Sequence, residues 1–224
     1  MLLRRAFAEL LGSAFLATAV VGSGIMATRL TQDGGLRLLE NSVATGAALI
    51  ALILALGPVS AAFNPVVTLV ELAFGALTMR SAAVFVSAQV VGCSLGVVVA
   101  NLMFDLDAVS LSATSRGGHG QLLGEVVATL GLVLVIFGVV RSGRQTVAFA
   151  VGGYIAAAYW FTSSTSFANP AITIGRTLTD SYAGIDPSCV AAFIGMQLVG
   201  GLLGYGAVRL LYPHAAHLAE ELTA

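Results

Sequence analysis

The sequence predicts an all-α membrane protein with six transmembrane helices and two re-entrant half-helices, arranged as an inverted repeat. Three observations lead there: an apolar composition, two short segments that each open on Asn-Pro, and the recurrence of the same polar residues in two halves of the chain. The 224 residues are 58% hydrophobic and only 9% charged, where a soluble domain carries about 25% charged residues. That is too little charge to cover a surface in water. All ten basic residues are arginines and the net charge is −1, which gives no electrostatic case for nucleic acid. Cys93 and Cys189 both lie in apolar runs and have no metal-ligand spacing, so neither a structural disulfide nor a metal site is expected.

A membrane-crossing helix needs roughly 20 predominantly apolar residues. The N-terminal stretch "MLLRRAFAELLGSAFLATAVVGSGIMA" has the outline of a signal peptide. Its apolar run is too long for one and further spans follow, so it reads as the first span. Six segments qualify, at about 6–29, 41–61, 82–104, 121–140, 146–165 and 188–212. Two shorter apolar stretches, "NPVVTLVELAF" from Asn64 and "NPAITIGRTL" from Asn169, cannot cross. Asn is a good N-cap and Pro suits the first helical position, so each stretch starts a half-helix. With six spans, one side holds both termini and Arg4, Arg5, Arg80, Arg141, Arg144 and Arg209. The other side holds Arg29, Arg37, Arg116 and Arg176 with five aspartates, so the arginine bias puts the termini in the cytoplasm.

The polar residues repeat. Glu9 and Glu125 interrupt the first and fourth spans, Asn64 and Asn169 follow, and Gln89 and Gln197 come next. Behind the glutamines, "QVVGCSLG" and "QLVGGLLG" place Gly92 and Gly96, then Gly200 and Gly204, at equal offsets. The chain is therefore one membrane domain, 1–224, made of halves at about 1–105 and 118–224. Each half has an odd number of spans, so the second is inverted relative to the first. Such repeats with interrupted helices mark channels and transporters whose site lies at the midplane. The glycine pairs suit close helix contact.

Irregular backbone survives in a bilayer only where protein buries it or it lines a wet cavity. The segments "GPVSAAF" and "FTSSTSFA" before the two asparagines offer carbonyl acceptors along a narrow water path. The Asn64 and Asn169 amides offer donors at its centre. Two half-helix N-termini facing each other there oppose cations while neutral solutes pass. Glu9 and Glu125 have two readings: acceptors for the loop N–H groups, or proton-coupling sites of a secondary transporter. Their matched positions favour the structural role.

With these residues in place, the chain resembles the aquaporins, or major intrinsic proteins, over nearly its full length. "AELLG" and "GEVVA", "AFNPVVT" and "FANPAIT", and the two glutamine spans fall in family order. The resemblance implies a pore in each subunit, lined by Asn64, Pro65, Val66, Asn169, Pro170 and Ala171, and a homotetramer. There are departures. Val66 stands where Ala is usual, and Ala62 where histidine is common. Ile172 takes the place of the arginine that family members generally carry three residues after the second asparagine.

Four positions form the outer constriction in the family. Carried over by their offsets from the asparagines, they fall on Ala44, Ala157, Ser166 and Ile172. The implied filter is wide, mostly apolar and uncharged, with Ser166 its main hydrogen-bonding side chain. The alternative is that Tyr159 or Trp160 swings in and narrows it. Arg176 and Glu71 share one offset after their asparagines, which places Arg176 at the outer mouth and Glu71 at the inner one. The stretch "AAYWFTSSTSFANPA", an apolar residue after it, and then "DSYAGIDP" are similar to a bacterial subgroup encoded with arsenic-resistance genes. That resemblance implies passive passage of small neutral solutes (water, glycerol, arsenite as the undissociated acid) across the bacterial cell membrane. A general water and glycerol facilitator is the alternative, and a transporter coupled through Glu9 or Glu125 the next.

No cofactor is expected. His119, His214 and His217 fall in loop and tail, so no Ser/His/Asp set forms in the membrane and an enzyme is not expected. Met26, Met79, Met103 and Met196 read as core.

Overall fold

The computed structural model describes residues 1–140 and 144–213; Arg141, His214 and His217 lie outside that range. Eight α-helices make up its regular structure: α1 Leu2–Leu30, α2 Gly34–Leu56, α3 Pro65–Ala73, α4 Met79–Met103, α5 His119–Val139, α6 Arg144–Phe161, α7 Pro170–Gly175 and α8 Pro187–Leu211. A 3₁₀ turn, Arg176–Leu178, continues α7. Five of the long helices, α1, α2, α4, α5 and α8, are long and apolar enough to cross a membrane. The sixth, α6, has 18 residues, about 27 Å at 1.5 Å per residue, close to the hydrocarbon thickness.

Several spans begin before their apolar runs do. The Asp33 side chain accepts from the Leu36 N–H at 2.7 Å and starts α2 at Gly34, not 41. Thr78 caps α4 in the same way, and Asp186 followed by Pro187 starts α8. These polar caps satisfy N–H groups that would otherwise be orphaned. α6 ends at Phe161 rather than 165, because the chain turns back into the bundle there. Thr165, Ser166 and Ala168 have φ of 60°, 50° and 47°, which no helix contains.

α1 packs on α4, α5 on α8, and α2 on α6. The paired glycines carry the first two contacts. A Cβ on Gly96 would sit 2.1 Å from the Ala14 carbonyl oxygen, and one on Gly92 2.3 Å from that of Leu10. In the second half, a Cβ on Gly200 would lie 2.5 Å from the Val126 oxygen and one on Gly204 2.8 Å from Val133 Cβ. Any side chain at these positions would force the helices apart. The core expectation for methionine is corrected: Met26, Met79 and Met103 are exposed on the outer surface. A bilayer accepts apolar side chains on both faces of a helix, so apolarity does not separate core from lipid.

Candidate functional site

The two half-helices meet nose to nose at the centre of the bundle, and a reciprocal clip holds them. The Asn64 Nδ2 donates to the Ala168 carbonyl at 2.7 Å, and the Asn169 Nδ2 donates to the Phe63 carbonyl at 2.8 Å. Each asparagine thus holds the residue just before the other. The Oδ1 atoms cap their own helices, accepting from Val66 N–H at 2.9 Å and from Ala171 N–H at 3.0 Å. One amide hydrogen of each pair is therefore committed to the clip, leaving one to face the pore. Pro65 and Pro170 stand at the first helical positions, where no N–H is needed.

Both clipped carbonyls come from residues in left-handed backbone, Phe63 with φ 49° and Ala168 with φ 47°. A non-glycine residue there costs about 1–3 kcal/mol. The buried glutamates offset that cost. Glu9 accepts from Ala62 N–H at 3.0 Å, Phe63 N–H at 2.8 Å, Gln89 Nε2 at 2.8 Å and the Ser60 hydroxyl. Glu125 accepts from Phe167 N–H at 2.9 Å, Ala168 N–H at 2.8 Å and Gln197 Nε2 at 2.6 Å. The glutamines extend the brace to the half-helices, donating to Thr68 and Thr173 at 2.9 Å each. Neither glutamate contributes to the cavity wall.

That wall encloses about 110 Å³ and passes both asparagines, room for several waters. α6 supplies Val147, Val151, Ile155 and Tyr159 to it, a four-residue repeat that runs about 18 Å along the axis. α2 supplies Thr45, Leu49 and Ile53, and α1 and α5 add further aliphatic side chains. The polar groups come mainly from the loops and half-helices: Ser60, Asn64, Ser166 and Asn169. Arg5 and Glu71 line the end nearer the chain's N-terminus, and Tyr159 and Arg176 the opposite end. Ala62, where histidine is common in the resembling family, also lines the cavity.

Of the four constriction positions carried over by offset, Ser166 and Ile172 lie on the wall, and Ala44 and Ala157 do not. Ala157 is exposed on the outer face of α6, and Ala44 is half-buried. Their places on the wall are taken by Tyr159 and Thr45, whose hydroxyls hydrogen-bond at 3.2 Å. At about 100° per residue, Ala157 points roughly 200° away from Tyr159 and Ala44 about 100° away from Thr45. Trp160 points outward, bonded to Ser42 Oγ at 3.1 Å. Beside Ser166 and Ile172, the same cavity is lined by a tyrosine ring, Tyr159, and a guanidinium, Arg176. Arg176 is 3% exposed and lines that end of the cavity. The alternative that Tyr159 enters was visible in the sequence; its four-residue register with Val147, Val151 and Ile155 was the signal.

The match to known proteins now has a structure to rest on. Residues 1–147 match the family model described as major intrinsic protein. Over 221 residues the chain is 47% identical to "Aquaglyceroporin AqpS" of Rhizobium meliloti (strain 1021), covering 98% of this chain and 95% of that one. The chain belongs to the major intrinsic protein family. It is 33% identical over 217 residues to "Aquaporin NIP1-4" of Oryza sativa subsp. japonica, covering 93% of this chain and 78% of the relative. The solved aquaglyceroporin of Plasmodium falciparum superposes with a TM-score of 0.78, covering 96% of this chain and 99% of that one. At 17% identity that likeness speaks to fold alone. As a major intrinsic protein, this chain is a multi-pass membrane channel for small solutes.

Proposed function

We propose that the channel passes small uncharged polyhydroxy solutes passively, with glycerol and the undissociated arsenite acid as the best fits and water alongside. The observation that carries this is the make-up of the cavity wall. The long helices give it aliphatic sides, while loops and half-helices give it a sparse series of hydroxyls, amides and a guanidinium. A solute with several hydroxyl groups and no charge can exchange water for these groups one at a time. A charged solute finds no counter-charge at the asparagine level. Arsenite acid, like glycerol, carries three hydroxyls on a compact neutral body. The similarity to "Aquaglyceroporin AqpS" supports the same reading. Ser166 is 3% exposed and lines the wall, and its hydroxyl has no hydrogen-bond partner among the described residues. In this reading the protein is a homotetramer in the bacterial cell membrane with cytoplasmic termini, and each subunit has its own pore.

The test is osmotic. Vesicles holding the purified protein are challenged with water, glycerol and arsenite gradients side by side. Faster swelling than empty vesicles in both glycerol and arsenite is expected. Acceleration by water and glycerol without arsenite would establish the general facilitator instead, and no acceleration by either larger solute would overturn the proposal.

A further inference from the structure

We infer that Arg176 supplies the fixed positive charge of the outer constriction, from one helical turn beyond the position where Ile172 stands. The inference rests on the cavity described above and adds a specificity determinant to it. Arg176 lies in the 3₁₀ turn after α7, yet its side chain lines the same cavity as Ile172, Ser166 and Tyr159. The side chain is held on two sides. Its guanidinium carbon stands 3.4 Å from the centroid of the Phe167 ring, which is cation–π contact. Its Nε donates to the Ala183 carbonyl.

The chain segment that receives it is built for arginine. Three successive carbonyls, Tyr182, Ala183 and Gly184, accept from Arg116 Nη2 at 3.2 Å, Arg176 Nε, and Arg116 Nε at 2.8 Å. Arg116 also stands 5.1 Å from the Phe167 centroid, but it is not part of the cavity wall. Two like charges on one ring oppose each other, and the three carbonyls offset that repulsion. Nε is the only Arg176 nitrogen with a hydrogen-bond partner among the described residues. The terminal amines are thus left on a guanidinium that lines the cavity. A buried structural arginine would spend them on protein acceptors.

This arrangement does the work of an arginine at position 172. A guanidinium beside a narrow, poorly hydrated path repels cations over a distance that water screens little. Its free N–H groups offer donors to a neutral hydroxyl solute. Ile172, one turn away on the same face, then adds bulk without charge.

Full-length protein in vesicles reads this directly, with methylammonium uptake beside osmotic water flux. The wild-type channel is expected to exclude methylammonium. Arg176→Gln, which keeps an amide donor near the Ala183 carbonyl, is expected to raise methylammonium uptake relative to water flux by roughly tenfold or more. Arg176→Lys should retain the exclusion. The pair Ile172→Arg with Arg176→Ile should restore it, since charge matters and the strut to Ala183 does not. Methylammonium leakage through the wild type would overturn the inference without any variant. So would tight exclusion by Arg176→Gln, or a transposed pair as leaky as Arg176→Gln. Failure of the neutral-solute reading would show separately, as absent glycerol and arsenite flux in the wild type.

Discussion

Replacing Glu125 decides whether the buried acids brace the pore or couple it to protons. The Glu125 carboxylate receives two loop N–H groups and the Gln197 amide, all within 2.9 Å. In Glu125→Gln one oxygen remains and the other becomes a donor. Gln197 can turn over to meet that donor, because its own Oε1 has no partner. One loop N–H then faces an N–H, and a buried unsatisfied donor costs about 1–3 kcal/mol. Glu125→Leu leaves all three donors unsatisfied, so about 3–9 kcal/mol on the same scale. That approaches the whole stability of a typical domain. Purified protein in detergent, titrated with denaturant and followed by the single tryptophan, Trp160, ranks the variants. The expected order is wild type, then Glu125→Gln, then Glu125→Leu, with Glu9→Leu comparably severe because Glu9 too accepts from two loop N–H groups, a glutamine and a serine hydroxyl. Solute flux through the wild type should not respond to an imposed proton gradient. Glu125→Leu as stable as the wild type would refute the brace. Proton-driven uphill flux that Glu125→Gln abolishes would place the carboxylate in a transport cycle.

Tyr159→Ala removes a ring from the constriction and should raise glycerol flux relative to water flux several-fold in the osmotic assay, whereas Ala157→Leu, on the outer face, should leave the ratio unchanged. Gly96→Val drives a side chain into the Ala14 carbonyl; overpacking of this kind costs typically 1–3 kcal/mol or more, as a thermal shift in detergent would show. Gly153→Ala meets nothing within 4 Å, so removing a mid-helix glycine should stabilise by about 0.5–1 kcal/mol in the same assay. Asp186 is exposed and held below its ordinary pKa by the Ser188 hydroxyl and N–H. A depressed carboxyl stabilises the α8 cap above its unfolded pKa and loses that contribution as pH falls through the folded value. Protection factors at the first α8 amides, taken relative to the intrinsic exchange rate at each pH, should therefore fall in acid, and Asp186→Asn should flatten that dependence.

The expected order of elements was legible because each device is local. Asn-Pro starts a half-helix through one side-chain cap and one missing N–H. A lone glutamate in an apolar run must find donors, and loops without secondary structure are where the donors are. G-x-x-x-G pairs name the faces that touch. The caps and the glycine pairs depend on residues a few positions apart, so they can be read along the chain. The constriction is different. An offset from a motif conveys depth in the membrane, but a slip of one residue turns a side chain about 100° about its helix. In water, periodic polarity would correct the slip. Here the lipid face and the pore face of α6 are both apolar, so polarity does not separate Ala157 from Tyr159.

By itself, then, the sequence determined the two inverted halves, the half-helices with their asparagines, and the acids that hold the loops. Only the tertiary structure decided which side chains line the path. It rotated Tyr159 and Thr45 inward in place of two alanines. It also folded Arg176 back against Phe167, where three carbonyls of the 182–184 segment hold two arginines. Arg116 lies far from Arg176 in the chain and the 182–184 segment lies outside the half-helix, and a long, flexible side chain takes its direction from such partners rather than from its place in the sequence.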